Sequence, residues 1–399
     1  MELPQLDPIR AAIGKLAEAL HPVPTETLPL ESAWGRVAAA EIAADRDSPP
    51  LDVSAMDGYA LRISDLASTD TLPVAGTIPA GSPPLELPPG AAIRIFTGGP
   101  VPAGAECVIR REDTREGPDA VTVLVPHASL RPGLNIRRQG ENIRAGQPIL
   151  PAGTPLVGAT VAAAASFAGP QVLVHRPVRV ALLTTGDEVL APGATAQPWQ
   201  IRDSNGPVLQ TWVRGLPWAE VTSAGRLPDR LDSVSQRLQS ALSEADAVLL
   251  TGGVSMGDAD YVPEAIRSIG GQVVFHRLPL RPGKPVLGAT AGGKLILGLP
   301  GNPVSVAVTS RVFGAPLLRK LAGISPFLTT HPRVQLADPD GQTLDLFWYR
   351  LVQLNPVDGT IRLAPNRGSG DVVGLSHSDG FVEIPPGQTG SGPWQMWSW

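Results

Sequence analysis

From Val178 onward, hydrophobic and polar positions alternate between two rhythms. Continuous apolar runs such as VRVALLTT, DAVLLT and LILGLP are separated by segments with apolar residues three and four apart, such as DRLDSVSQRLQSALSEA. Uninterrupted apolar runs predict strands buried on both faces, and the spaced segments predict amphipathic helices. Residues 177–326 therefore read as a doubly wound, mostly parallel α/β domain covered on both faces. Near the start, Asp7 is placed to cap a helix and Pro8 to occupy its first turn. Ile9, Ile13, Leu16, Ala17 and Leu20 share one face, so a helix is expected over about 8–20.

Between these regions the pattern shortens. Runs such as Ala91 to Phe96 and Cys107 to Arg110 lie between LPPG, VPAG and RPG turns, which predicts a compact inserted β-rich domain over 49–139. The small-residue segment Val157 to Phe167 reads as a packed helix. Residues 1–48 with 140–176 are then expected to form one N-terminal α+β unit into which that β domain is inserted. Residues 327–399 return to short strands with Asp-Gly and Pro-Gly turns and predict a small, barrel-like C-terminal β domain. Its tail, WQMWSW, is read as packing on that domain. The expected fold class is thus multidomain α/β.

At 399 residues the chain exceeds the size of one ordinary core. Its 43% hydrophobic and 17% charged residues exclude a solvated, disordered chain, and its net charge of -5 without a basic stripe argues against nucleic-acid and membrane partners. One cysteine cannot form an internal disulfide and no long apolar run is present, so a cytoplasmic enzyme is expected.

Open α/β sheets bind ligands beyond the carboxyl ends of their strands. That rule selects the loops containing Thr185 and Gly186 to Glu188; Asp203 to Asn205; Thr251 to Asp260; and Leu299 to Pro303. Gly252 and Gly253 allow a tight turn with open amides, and Ser255 adds a hydroxyl, a combination suited to phosphate. Glu188, Asp229, Asp258 and Asp260 all follow strand ends. Acids converging there would repel each other and a phosphate unless a hard cation such as Mg2+ joined them, although Asp229 and Asp258 are also placed where a helix cap would stand. Arg281 and Lys284 lie in a Pro-Gly turn able to hold an oxyanion or simply to face solvent. Asn302 and Pro303 are suited to begin a helix whose dipole favours an anion. Asp57, Thr97 and Cys107 read, from the residues alone, as two turn residues and a core thiol.

Taken together, SAMDGYA (54–60), RIFTGGPVPAGAECVI (94–109), GENI, TTGDEV, DSN, TGGVSMGDADYV (251–262), RPGKPV (281–286) and LPGNPVSV (299–306) stand in one order along the chain. In this set the chain resembles the MoeA family of molybdopterin molybdenumtransferases over nearly its whole length. The resemblance implies an elongated homodimer, with residues 1–48 and 140–176 as its elongated dimerisation unit and an active site shared between subunits. Its substrates would be adenylylated molybdopterin and molybdate; Mg2+ would assist, molybdate oxygen would attack the activated phosphoryl group, and AMP would leave. It further assigns catalytic positions to Asp57, Glu188, Asp229 and Asp260, with Glu188 and Asp260 holding the metal. Substrate binding falls to Thr97, Thr185, Gly186, Asp203, Asn205, Gly252, Gly253, Ser255, Pro300, Asn302 and Pro303. Molybdate binding falls to Arg281, Lys284, Arg350 and Ser369. The stretch DGQTLDLFWYRL departs from the family by lacking an arginine ahead of Arg350. Two alternatives remain open at this point: an adenylyltransferase of the same fold, or a non-catalytic molybdopterin-binding scaffold.

Overall fold

The computed structural model describes residues 7–255 and 261–399. They form two compact units: one built from 7–40, 151–161 and 171–399, the other from 41–150 and 162–170.

In the larger unit the central sheet uses β1 (Val178–Thr185), β2 (Ala219–Leu227), β3 (Ala247–Thr251), β4 (Gln272–His276), β6 (Leu287–Ala291) and β7 (Lys294–Leu299), in the order β2-β1-β3-β7-β6-β4. The first four strands run parallel, and β6 alone is reversed, pairing antiparallel with both β7 and β4. The alternation of strand side chains divides the core. Val180, Leu182, Leu249 and Leu297 pack to one side, while Ala181, Leu183, Val248, Leu250 and Ile296 pack to the other. Three helices between the strands, α1 (Asn205–Arg214), α2 (Leu231–Glu244) and α3 (Val262–Ser268), cover these faces, and α4 (Pro303–Thr309) follows β7. The N-terminal helix Pro8–Glu18 starts on Asp7, whose carboxylate accepts the Ile9 amide at 2.8 Å, and it buries Ile9, Ile13, Leu16 and Ala17 in the first of these cores.

A short strand, β5 (Leu280–Arg281), leaves this domain and pairs in parallel with Phe347 and Trp348 of β8 (Phe347–Leu354). It thereby joins the C-terminal sheet, which also holds β9 (Gly380–Ile384) and β10 (Trp394–Ser398). Thus the RPG turn is an edge of that sheet rather than a free loop. The tail packs on its own domain as expected: Trp394 and Trp397 are buried, and Trp397 stacks on Phe381 with ring centroids 5.2 Å apart.

The smaller unit carries a six-stranded sheet ordered Cys107–Arg110, Gly58–Leu61, Ala92–Ile95, Thr71–Ile78, Ala120–Val123, Thr114–Glu116. Cys107 is fully buried there, and burial pushes its thiol up to about 11, so it behaves as core.

Candidate active site

The chain steps from β1 outward to β2, then returns to the opposite side of β1 with β3. This reversal leaves a gap between the loops after β1 and β3, the position where open α/β sheets form binding crevices. A crevice of about 480 Å3 opens there, lined by Thr184, Thr185, Gly186, Glu188, Asp203, Asn205, Asp229, Gly252, Gly253, Ser255, Pro300, Asn302 and Pro303 among others. The structure therefore gathers nearly every strand-end residue predicted to bind substrate. Met256 to Asp260, including Asp258 and the predicted metal ligand Asp260, lie outside the described residues.

The floor is shaped by glycine. Gly252 has φ +87° and Gly253 φ +64°, and a Cβ on Gly252 would stand 2.5 Å from the Thr185 hydroxyl, so that position accepts only glycine without rearrangement. Asp203 binds the Gly206 amide at 2.9 Å and faces the Thr184 hydroxyl at 3.3 Å, which ties the start of α1 to the end of β1. Asn205 donates to the Gly301 carbonyl at 2.7 Å, while its amide oxygen is buried without a hydrogen-bond partner among the described residues.

Asp229 is not a helix cap. The cap position of α2 is Arg230 and no side chain bonds there. Instead Asp229 folds toward Thr185, and its amide contacts Asp187 at 3.3 Å. Burial, with a further contribution from the negative charges of Asp187 and Glu188, holds its carboxyl above the ordinary value against the lowering effect of the Thr185 bond. Asp187 was not among the predicted residues, although it stands inside the TTGDEV motif.

No group of three or more metal-binding side chains occurs among the described residues. Mg2+, however, is characteristically held by one or two carboxylates with substrate phosphates and water. Two observations fit that mode: the negative charges of Asp187 and Glu188 reach Asp229, and the unsatisfied Asn205 oxygen lies in the same crevice.

A second cleft, of about 970 Å3, shares Pro285, Pro300 and Asn302 with the first and is lined by Arg281, Lys284, Arg350, Arg367 and Ser369. Asn302 does not cap α4 with its side chain; its amide donates to the Ser369 hydroxyl at 2.8 Å. The Ser369 carbonyl in turn accepts the Val304 amide at 3.0 Å. Arg350 is brought to the cleft as expected, but both arms of its guanidinium already hold Asp340, at 2.7 and 2.6 Å.

In the smaller unit, antiparallel pairing of Gly58 with Ile95 places Asp57 beside Thr97. The Asp57 carboxylate accepts the Thr97 amide and hydroxyl, each at 2.7 Å, and these bonds lower its pKa. Two residues read from sequence alone as separate turn positions thus form one anionic corner. A Cβ on Gly58 would fall 1.9 Å from the Ile109 carbonyl oxygen, so glycine is required for this strand to pass.

Fold and crevice together define a multidomain α/β protein whose doubly wound domain carries a ligand crevice at its topological switch point. Residues 8–168 match the model of the MoeA N-terminal region (domain I and II), and residues 181–320 match that of a probable molybdopterin binding domain. The chain is 35% identical over 379 residues to the molybdopterin molybdenumtransferase of Nostoc sp., covering 92% of this chain and 86% of the relative. It is 37% identical over 314 residues to the enzyme of that name from Haemophilus influenzae, covering 78% and 77%. A crystal structure of the molybdopterin biosynthesis MoeA protein of Pyrococcus horikoshii OT3 superimposes with a TM-score of 0.80 at 29% identity, over 98% of both chains. The chain belongs to the molybdopterin molybdenumtransferase family.

Proposed function

We propose that this protein transfers molybdenum from molybdate to adenylylated molybdopterin with release of AMP, assisted by Mg2+ and working as a homodimer. The observation that carries the reading is the adjacency of two chemically opposite cavities, one rich in acids and backbone turns and one rich in cations, with Pro285, Pro300 and Asn302 common to both. A substrate bearing a phosphoanhydride at one end and accepting an oxyanion at the other has use for both.

In this reading the Gly252-Gly253-Ser255 turn binds the phosphates and Asp203 fixes the α1 terminus beside them. Glu188 and Asp229 are the described carboxylates that would hold Mg2+, and Asp260 is assigned with them from the family pattern. The cation, when bound, neutralises phosphate charge as the phosphoanhydride is cleaved. Arg281, Lys284, Arg350 and Ser369 hold molybdate in the neighbouring cleft, where Pro300 and Asn302 form the shared wall. Asp57 and Thr97 are assigned to the catalytic and substrate-binding sets of a site shared between subunits.

The adenylyltransferase alternative uses ATP, so its signature is ATP consumption; a scaffold binds without turnover. AMP release from purified protein given adenylylated molybdopterin, Mg2+ and molybdate, with each omitted in turn, tests all three. Release that requires molybdate and Mg2+ supports the transferase; binding without release overturns it.

A further inference from the structure

The cationic cleft contains a carboxylate where an oxyanion would sit. Trp348 and Arg350 are two residues apart on β8 and so extend from one face of the strand, while Arg281 pairs across to Trp348 from β5. The two guanidinium carbons lie 4.2 Å (Arg350) and 5.8 Å (Arg281) from the centre of the Trp348 ring, so one indole positions both cations. Arg281 and Lys284 are exposed and, among the described residues, form no ion pair, whereas Arg350 is held in a two-pronged pair by Asp340. A planar guanidinium fork binds a carboxylate and a tetrahedral oxyanion with the same two donors. Asp340 stands in the irregular stretch before β8, two residues from Asp338. Asp338 also lines the cleft but pairs with Arg362 at 3.4 Å, well exposed.

We propose that Asp340 is a carboxylate latch on Arg350 that competes with the incoming oxyanion and sets its affinity. The latch rests on the cleft being the oxyanion site of the transferase reading. To occupy the fork of Arg350, a tetrahedral dianion must displace Asp340. Trp348 keeps the released guanidinium beside Arg281, so the cation stays in place for the dianion. The latch thus lowers affinity for the oxyanion while Arg350 remains held in the empty cleft, a site prepared but not spontaneously filled by ordinary anions.

The test is calorimetric titration of the full chain with tungstate and, separately, with sulfate, comparing wild type with Asp340→Asn and Asp338→Asn, with thermal melting checked for each. Removing the latch is expected to tighten binding of both dianions by about tenfold, the loss of one charge-assisted competitor. Asp338→Asn, which removes the same charge from the same cleft without touching Arg350, is expected to change affinity less than about twofold. Equal tightening in both variants would mean general charge repulsion and would overturn the latch, as would unchanged or weaker binding in a normally melting Asp340→Asn. If Asp340→Asn melts early, Asp340→Glu, which keeps the charge, serves instead, and tightening by that variant contradicts the proposal. AMP release by the wild type is read in parallel. Its absence with the latch effect intact removes the transferase reading alone, and its presence without the latch effect removes the latch alone.

Discussion

The two cavities of the larger unit share a wall but hold opposite charge. The crevice at the switch point gathers Glu188, Asp203 and Asp229 in one lining, and its neighbour gathers Arg281, Lys284, Arg350 and Arg367. Burial first, and the neighbouring charges of Asp187 and Glu188 after it, raise the Asp229 pKa, so this crevice favours added positive charge. The cationic cleft instead carries its own internal counter-charge, with Asp340 held on Arg350. The two cavities therefore suit opposite charges, and Asn302, bonded to Ser369, joins them.

Changes in the acidic crevice should have the largest effect on turnover. Glu188→Gln should lower molybdate-dependent AMP release by on the order of 100-fold, the loss of about 3 kcal/mol of charge stabilisation. If release at saturating Mg2+ matched wild type, the assignment of Glu188 would fail. Gly252→Ala should lower release to a similar degree, because its Cβ would meet Thr185 at 2.5 Å, and should cost about 2 kcal/mol of stability by denaturant unfolding. On the cationic side, Arg281→Ala should raise the molybdate concentration needed for half-maximal release by roughly tenfold while leaving the Mg2+ requirement unchanged. A shift in the Mg2+ requirement instead would merge the two cavities into one site and break the comparison.

Smaller effects distinguish structural carboxylates from functional ones. Asp246 receives two bonds from Arg176 at 2.7 and 2.8 Å and one from the Arg179 amide at 2.9 Å. Burial acts to raise its pKa, but these bonds prevail and the net shift is downward. A depressed carboxyl contributes stability above its unfolded pKa, lost as pH falls through its folded value. Asp246→Ala should therefore cost about 3 kcal/mol at neutral pH and less in acid. Asp229 has the opposite sign: its raised pKa favours the protonated form, so its contribution is present below the unfolded pKa and lost as pH rises through the folded one. Asp229→Asn should accordingly stabilise the metal-free protein at neutral pH, by less than about 1 kcal/mol given solvent screening. It should also shrink the rise in melting temperature produced by Mg2+. A destabilised Asp229→Asn would make Asp229 a structural group like Asp246.

Local rules made much of the molecule readable in advance. Apolar runs located β1, β3 and β7, because strands buried on both faces need continuous hydrophobicity. Asp7 and Pro8 located the first helix, and the strand-end rule located the crevice without any knowledge of its ligand. Glycine at 252 and 253 was legible because tight turns at positive φ leave a compositional mark. What escaped were pairings between residues distant in sequence. Asp57 and Thr97 look like unrelated turns until antiparallel pairing sets them side by side, and Asp229 looks like a helix cap until its position beside Thr185 is seen. Asp340 looks like half of an Asp-Gly turn, and only its bonds to Arg350 reveal a charge the cleft must account for. The sequence by itself determined most of the strands, helices and turns, since those follow from local patterning, but not the edge strand at Leu280–Arg281, which forms only by pairing with β8. The tertiary structure alone decided which charges face one another, since Coulomb and hydrogen-bond energies depend on distance in space and not along the chain.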